Sequence, residues 1–435
     1  MKKAQTNLLA LAIITAFLNL LLFTSSGCVK QEASKAGDTE SSAASAKPSA
    51  ANAEIAAAQQ MIEKMPGSAI GYSKLAVAYI RRAREAGDFS LNANAQTAID
   101  RALEIEPQNY DAQKLKASLH LTFHRFAEGL EAGRLLEKLN PRDAFVYGVL
   151  TDANVELGNY KEAAEVVQKM VDLKPNMESY ARVAHVRSIY GDSLGALEAM
   201  ALASRVADPG DKEAQAWCLT FLGNEYMNVG RYEDAERQYD GALKILPDYH
   251  LATAGKGHAR AAVGDYENAV KFFTQTQTRV PSTEVVVALG DVYTKTGNQE
   301  KAAEQYKLAE FIEQKLGNLD QRRLALLWAD QDTKLDEALA IVTREHAARK
   351  DVFTADIYAW CLYKKGNLPE AKAAITEALR MKTKNALFFY HAGMIEKGLG
   401  NKKAAIDYLQ QALKLNPAFD ILQIEKAKAA LQELK

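Results

Sequence analysis

The residues whose types and spacing could do chemistry are few. His120 and His124 stand four apart and would share one face of a helix. Two histidines at that spacing can ligate zinc, but the metalloprotease form needs Glu directly after the first, and Leu121 is there. Gly255-Lys256-Gly257-His258 has the residue types of a phosphate loop without its spacing, and it falls inside a helical pattern. The chain has no nucleophile elbow and no dinucleotide fingerprint. Lysine plus arginine number 54 and aspartate plus glutamate 55, for a net charge of −1. A nucleic-acid partner usually leaves a basic footprint, and none is present. The reading is therefore no catalytic residue, no metal, no cofactor and no nucleic acid.

The elements that would position any site follow from a repeat. Pro107, Pro141, Pro175 and Pro209 lie 34 residues apart, as do Pro247 and Pro281, and Pro417 follows four periods later. Gly158, Gly191, Gly230, Gly264, Gly297, Gly366 and Gly400 keep the same beat half a period away. Such a period, with a mid-repeat glycine and a terminal proline, marks a solenoid of helical hairpins. Each repeat buries its apolar face on its neighbours and leaves a long groove for partners. The glycine ends the first helix (A) where the chain needs a positive φ, and the proline stops the second (B). Asn159, Asp192 and Asp265 stand where they would cap helix B. Cys218 and Cys361 fall about four repeats apart, too far for a disulfide in a rigid array.

Within the period the residues resemble the tetratricopeptide repeat. The clearest copy, Ala216 to Tyr249, has Leu222-Gly223, Tyr226, Gly230, Tyr232, Ala235, Tyr239, Ala242 and Pro247. The next two copies have Gly257, Tyr266, Ala269 and Phe273, then Leu289-Gly290, Tyr293, Ala302 and Tyr306. Copies at Tyr110 to Asp143 and Leu319 to Val352 are degenerate, and His124 stands at a turn-glycine position. The resemblance covers roughly Gly71 to Phe419. It implies an all-α, right-handed superhelical solenoid of about ten helix-turn-helix repeats. A capping helix is expected over 53–70, the array over 71–419 and a second capping helix over 420–435.

The resemblance also implies where a partner would bind, because exposed residues of helix A line the concave face in this family. By register these are Asp152, His185, Asn224, Met227, His258 and Asp291, then Phe353, Asp356, Trp360, Tyr363, Tyr390, Met394 and Lys397. The second set is rich in aromatics, a composition enriched at binding hot spots. The basic clamp with which some relatives hold a terminal carboxylate is not reproduced, since Val149, Arg182 and Phe221 occupy neighbouring groove positions.

The N-terminus reads as an export signal. Lys2 and Lys3 precede an apolar run from Leu8 to Phe23, short for a membrane span. Gly27-Cys28 then resembles the cleavage and lipidation site of a bacterial lipoprotein, with Ser25 where Leu is usual. This gives a signal peptide over 1–27 and a lipidated Cys28 with a flexible linker to residue 52. Val29 stands where Asp would favour inner-membrane retention, so a two-membrane source implies the periplasmic side of the outer membrane. The expected function is a membrane-anchored scaffold that binds a protein or peptide in its groove, with envelope complex assembly as one setting. The alternative is a cell-envelope enzyme with an atypical active site in that groove.

Overall fold

The computed structural model describes residues 50–316 and 321–435. The expected signal peptide, Cys28 and linker residues 28–49 lie outside them. Helix α1 covers Ala50–Lys64, so the helical chain begins three residues before the expected cap. Ten hairpins follow. They are α2 (Ala69–Ala86) with α3 (Leu91–Ile105), α4 (Tyr110–Thr122) with α5 (Phe126–Leu139), and α6 (Ala144–Glu156) with α7 (Tyr160–Leu173). Next come α8 (Met177–Ile189) with α9 (Ser193–Val206), α10 (Lys212–Asn228) with α11 (Tyr232–Ile245), and α12 (His250–Ala262) with α13 (Tyr266–Arg279). The last four are α14 (Thr283–Lys295) with α15 (Gln299–Leu316), α16 (Arg322–Asp330) with α17 (Leu335–Ala348), α18 (Val352–Lys364) with α19 (Leu368–Ala378), and α20 (Ala386–Gly398) with α21 (Lys402–Leu415). Helix α22 (Gln423–Glu433) ends the chain. Among the described residues there is no strand, and the hairpins build a right-handed superhelical solenoid.

Local chemistry explains the breaks. Asp143, Asn176, Asp192, Asp211, Asp265, Ser282, Asp351 and Asn385 each cap the helix that follows by accepting a backbone N–H, which satisfies a donor the helix leaves free. Asn159 does not; its side-chain amide donates to Asn154 Oδ1 instead. His124 takes φ 57°, so it adopts the left-handed turn that glycine makes elsewhere. Side chains of helix B fill hollows in helix A. The Tyr239 ring lies between Gly223 and Gly255, and a Cβ at either would come within 2.5 Å of it. Tyr239 and Phe273 are wholly buried. Cys218 and Cys361 are free, buried thiols, as their spacing implies.

The coil is tighter than the repeat alone indicates. Four mid-repeat turns touch the chain one superhelical turn further on: Gly87 meets Val280, Gly158 meets Lys350, Gly191 meets Lys382 and Gly230 meets Pro417. These separations are all close to 190 residues, roughly five and a half periods of the 34-residue repeat. Polar contacts run along the same seam. Arg349 and Glu156, both almost fully buried, pair at 2.9 Å. The Val352 N–H donates to Tyr160 Oη at 2.7 Å, and Thr383 Oγ1 donates to the Ile189 carbonyl at 2.5 Å. Asn416 donates to the Met227 carbonyl and accepts from Tyr232 Oη. Gly264, Gly297, Gly366 and Gly400 have the same positive φ but open space around them, with no described segment packed on those turns.

That contrast yields a test. Alanine at either Gly158 (φ 78°) or Gly366 (φ 81°) should cost about 1–2 kcal/mol for the left-handed backbone. At Gly158 the new Cβ would also lie 2.3 Å from the Lys350 carbonyl oxygen, which cannot rotate away. Urea unfolding should therefore show Gly158→Ala losing at least twice the stability that Gly366→Ala loses. Equal losses would mean that the turns of the coil do not meet.

Candidate functional site

The concave face is formed by the A helices, and the seam turns part of it into a cavity of about 500 Å³. Its inner wall comes from α10, α12 and α14. There Asn224, Met227, His258 and Asp291, four of the sequence-predicted residues, come together. Residues 416–421, one superhelical turn away, form the opposite wall. Sequence register missed that wall, together with Arg323 and Glu284, because a repeat period does not report the pitch of the coil.

Each of these side chains is set by its neighbours. Asn224 Oδ1 accepts from Tyr239 Oη at 2.8 Å. His258 lies edge-on against Phe273, with its Nε2 3.7 Å from Glu284. Burial holds the His258 imidazole below its usual pKa against the opposing pull of Glu284. The Glu284 side chain is about half exposed; desolvation pulls its pKa up, but Arg323 at 3.0 Å and His258 outweigh that and keep the carboxyl below its usual pKa. Asp291 Oδ1 accepts from Tyr306 Oη at 2.7 Å. Burial and the nearby Asp420 push the Asp291 carboxyl up to about 8.

The remaining predicted residues lie elsewhere. Asp152 is held by Arg182 through Nε and Nη2, at 2.8 and 2.6 Å. His185 is buried, and burial drives its pKa well below the usual value. The second set does not form an exposed aromatic surface. Trp360 and Tyr390 are 1% and 0% exposed, so they pack in the core between hairpins. Trp360 stacks on His391 and Tyr363 and donates from Nε1 to Asp330 at 2.8 Å. Asp356 is buried against His391 Nδ1 at 3.0 Å, and Tyr390 Oη donates to Gln423. Phe353 meets Phe388 edge-on, Met394 packs on the same core, and Lys397 pairs with Glu433. The physical reason is that the short α16 and the returning α22 bring Asp330 and Gln423 over these positions, and degeneracy of the Leu319 to Val352 copy hid that from the register. Among the described residues, no group of three or more His, Cys, Asp or Glu is disposed to hold a metal ion.

The raised Asp291 pKa makes a pH prediction. An unfolded aspartate titrates at about 3.9, so folding favours the protonated form of Asp291. Its stabilising effect is complete below about pH 4 and is lost as pH rises to about 8. Denaturation midpoints should fall as pH rises from about 6 to 8, and Asp291→Asn should flatten that fall. An unchanged slope in the variant would contradict the assignment.

Two segments match family models, both described as tetratricopeptide repeat: residues 222–284 and residues 386–419. Among curated proteins, the chain is similar to a TPR repeat-containing protein of Methanocaldococcus jannaschii, with 21% identity over 78% of this chain and 64% of that one. It is also similar to anaphase-promoting complex subunit 3 of Schizosaccharomyces pombe, with 24% identity over 50% of this chain and 34% of that one. The chain thus spans between about a third and somewhat under two-thirds of the length of these relatives. The solved human IFIT1 dimer with PPP-AAAA is similar at 14% identity, covering 84% of this chain and 87% of that one, with a TM-score of 0.48. The matched segments coincide with the α10–α13 hairpins and the α20–α21 hairpin, so the chain carries tetratricopeptide repeats within an array of ten helical hairpins.

Proposed function

We propose that this chain is an exported scaffold, anchored to a membrane through lipid on Cys28, that binds a protein or peptide on its concave face. The observation that carries the binding reading is the cavity shared by Asn224, Met227, His258 and Asp291. It combines apolar walls with a few convergent polar groups, the composition expected of a recognition site. The near-zero net charge favours a protein over a nucleic acid as partner. Binding without a reaction is the simplest use of the site, since the buried cysteines have thiols pushed up by burial and sit far from nucleophile chemistry. Anchoring rests on the Lys2-Lys3 and apolar segment followed by Gly27-Cys28. Among the described residues no helix is long and apolar enough to cross a membrane. Assembly of an envelope complex is the setting that fits an anchored scaffold.

A photoreactive residue at Met227, inside the cavity, should crosslink a partner in intact cells, while the same residue at exposed Glu165 on the outer α7 helix should not. Equal capture at both sites, or capture at Glu165 alone, would place the interaction elsewhere. For the anchor, wild-type protein should sediment with membranes and carry a lipid mass on Cys28. Cys28→Ser should be released or remain unprocessed. Wild-type protein recovered free of membranes, with an unmodified residue 28, would remove the anchor from the account.

A further inference from the structure

One end of the cavity gathers carboxyl groups that the fold does not pair with cations. Asp291 enters from α14 and Asp420 from the segment just before α22, and both line the cavity. One oxygen of each is already used. Tyr306 Oη donates to Asp291 Oδ1, and the Leu422 and Gln423 N–H groups donate to Asp420 Oδ1 at 2.8 and 2.7 Å. The second oxygen of each accepts no hydrogen bond among the described residues, and neither carboxylate has an ion-pair partner there. Neighbouring cations are already engaged: Lys295 pairs with Glu425, Lys364 with Asp332, and Arg323 with Glu284. A third carboxylate, Asp330, lies close behind and receives Trp360 Nε1 and Gln423 Nε2. Carboxyl groups gathered in a half-buried site repel one another when ionised, which favours their protonated forms, and an incoming cation relieves that repulsion.

A second feature of the cavity is independent of charge. Thr283, 2% exposed, lines it with an Oγ1 that has no hydrogen-bond partner. His250, 5% exposed, lines it with an unpartnered Nδ1. Buried polar atoms are rarely left unpaired, so these two, together with His258 Nε2 in the same cavity, mark places where a ligand's polar groups belong. Phe273, Ala288 and Ile421 supply apolar wall to the same cavity.

We propose that the Asp291–Asp420 end of the cavity is a receptor for an alkylammonium group, supplied by a lysine side chain of a bound peptide. This inference rests on the concave-face binding reading above. The ammonium sits between the two free carboxylate oxygens, where two of its three donors find acceptors. The four-carbon stem lies along the apolar wall, as lysine stems do on apolar surfaces. Thr283 and His250 receive the polar atoms of the peptide main chain. A divalent metal is the poorer fit, because calcium takes six to eight oxygens and no cluster of three or more metal-capable side chains occurs among the described residues.

The test uses the full chain and a fluorescent decapeptide pool with random flanks around a fixed central lysine. A matched pool has norleucine at the centre, and free cadaverine serves as a third probe. Wild-type protein should bind the lysine pool at least tenfold more tightly than the norleucine pool. Asp291→Asn and Asp420→Asn should abolish that preference. Both substitutions keep the shape of the side chain. The amide oxygen introduced by the first can still accept from Tyr306, and the one introduced by the second can still accept from the Leu422 and Gln423 N–H groups. The melting temperatures of the variants should not fall, which separates loss of the site from loss of the fold. Equal binding of the two pools, no retention of either, or full preference in both variants would overturn the proposal. Cadaverine binding as tightly as the lysine pool would overturn the peptide source. A Met227 crosslink to both pools, without lysine preference, would sink the cation site while leaving the concave-face reading intact.

Discussion

The structure depends on the seam where successive turns of the coil meet. A solenoid of hairpins is held locally by neighbour-to-neighbour packing, and that packing alone fixes no distant contact. Here the pitch brings residues about 190 apart into contact at four levels, from Gly87 and Val280 to Gly230 and Pro417. The Arg349–Glu156 pair lies at one of these levels, out of water, with Asp351 and Glu345 also near the guanidinium. Removing one partner of such a pair is costly, because the other charge stays buried without its counterion. The seam therefore converts a flexible spring into a coil of defined pitch.

The cavity is a consequence of that pitch. In an open solenoid, Asn224, Met227, His258 and Asp291 would face a broad groove. In this coil, residues 416–421 cross opposite them, and Ile421 packs on the cluster around Phe273 and Leu289. The same return brings Asp420 toward Asp291 and Asp330, where burial and then its charge raise the latter two pKa values. Site electrostatics here belong to the superhelix and not to any single repeat.

Much of the fold was legible in the sequence. Proline and glycine spacing located the hairpins, because both residues act through backbone geometry that survives any tertiary context. Tyr239 and Phe273 were legible as fillers because their hollows, Gly223 and Gly257, recur one repeat on. The site was half legible. Helix A register names Asn224, Met227, His258 and Asp291, and all four line one wall of the cavity. It failed at Trp360, Tyr390 and Asp356, whose burial depends on Asp330, His391 and Gln423 reaching them from neighbouring hairpins and α22. Asn159 failed for a related reason, since its amide found Asn154 before the helix terminus. Contacts across the seam have no local signature: nothing near Gly158 distinguishes it from Gly366, and only the position of Lys350 does.

The most direct measurement of the closed coil is hydrogen exchange at a single amide. The Val352 N–H opens α18, where a helix offers its first donors no internal partner. Its acceptor is Tyr160 Oη, from the previous turn of the coil. Closed turns predict a protected Val352 amide that exchanges at least about tenfold faster in Tyr160→Phe, while amides in the middle of α18 stay unchanged. A Val352 amide that already exchanges in the wild type at the rate of an unbonded helix terminus would contradict the closed coil and the cavity it forms.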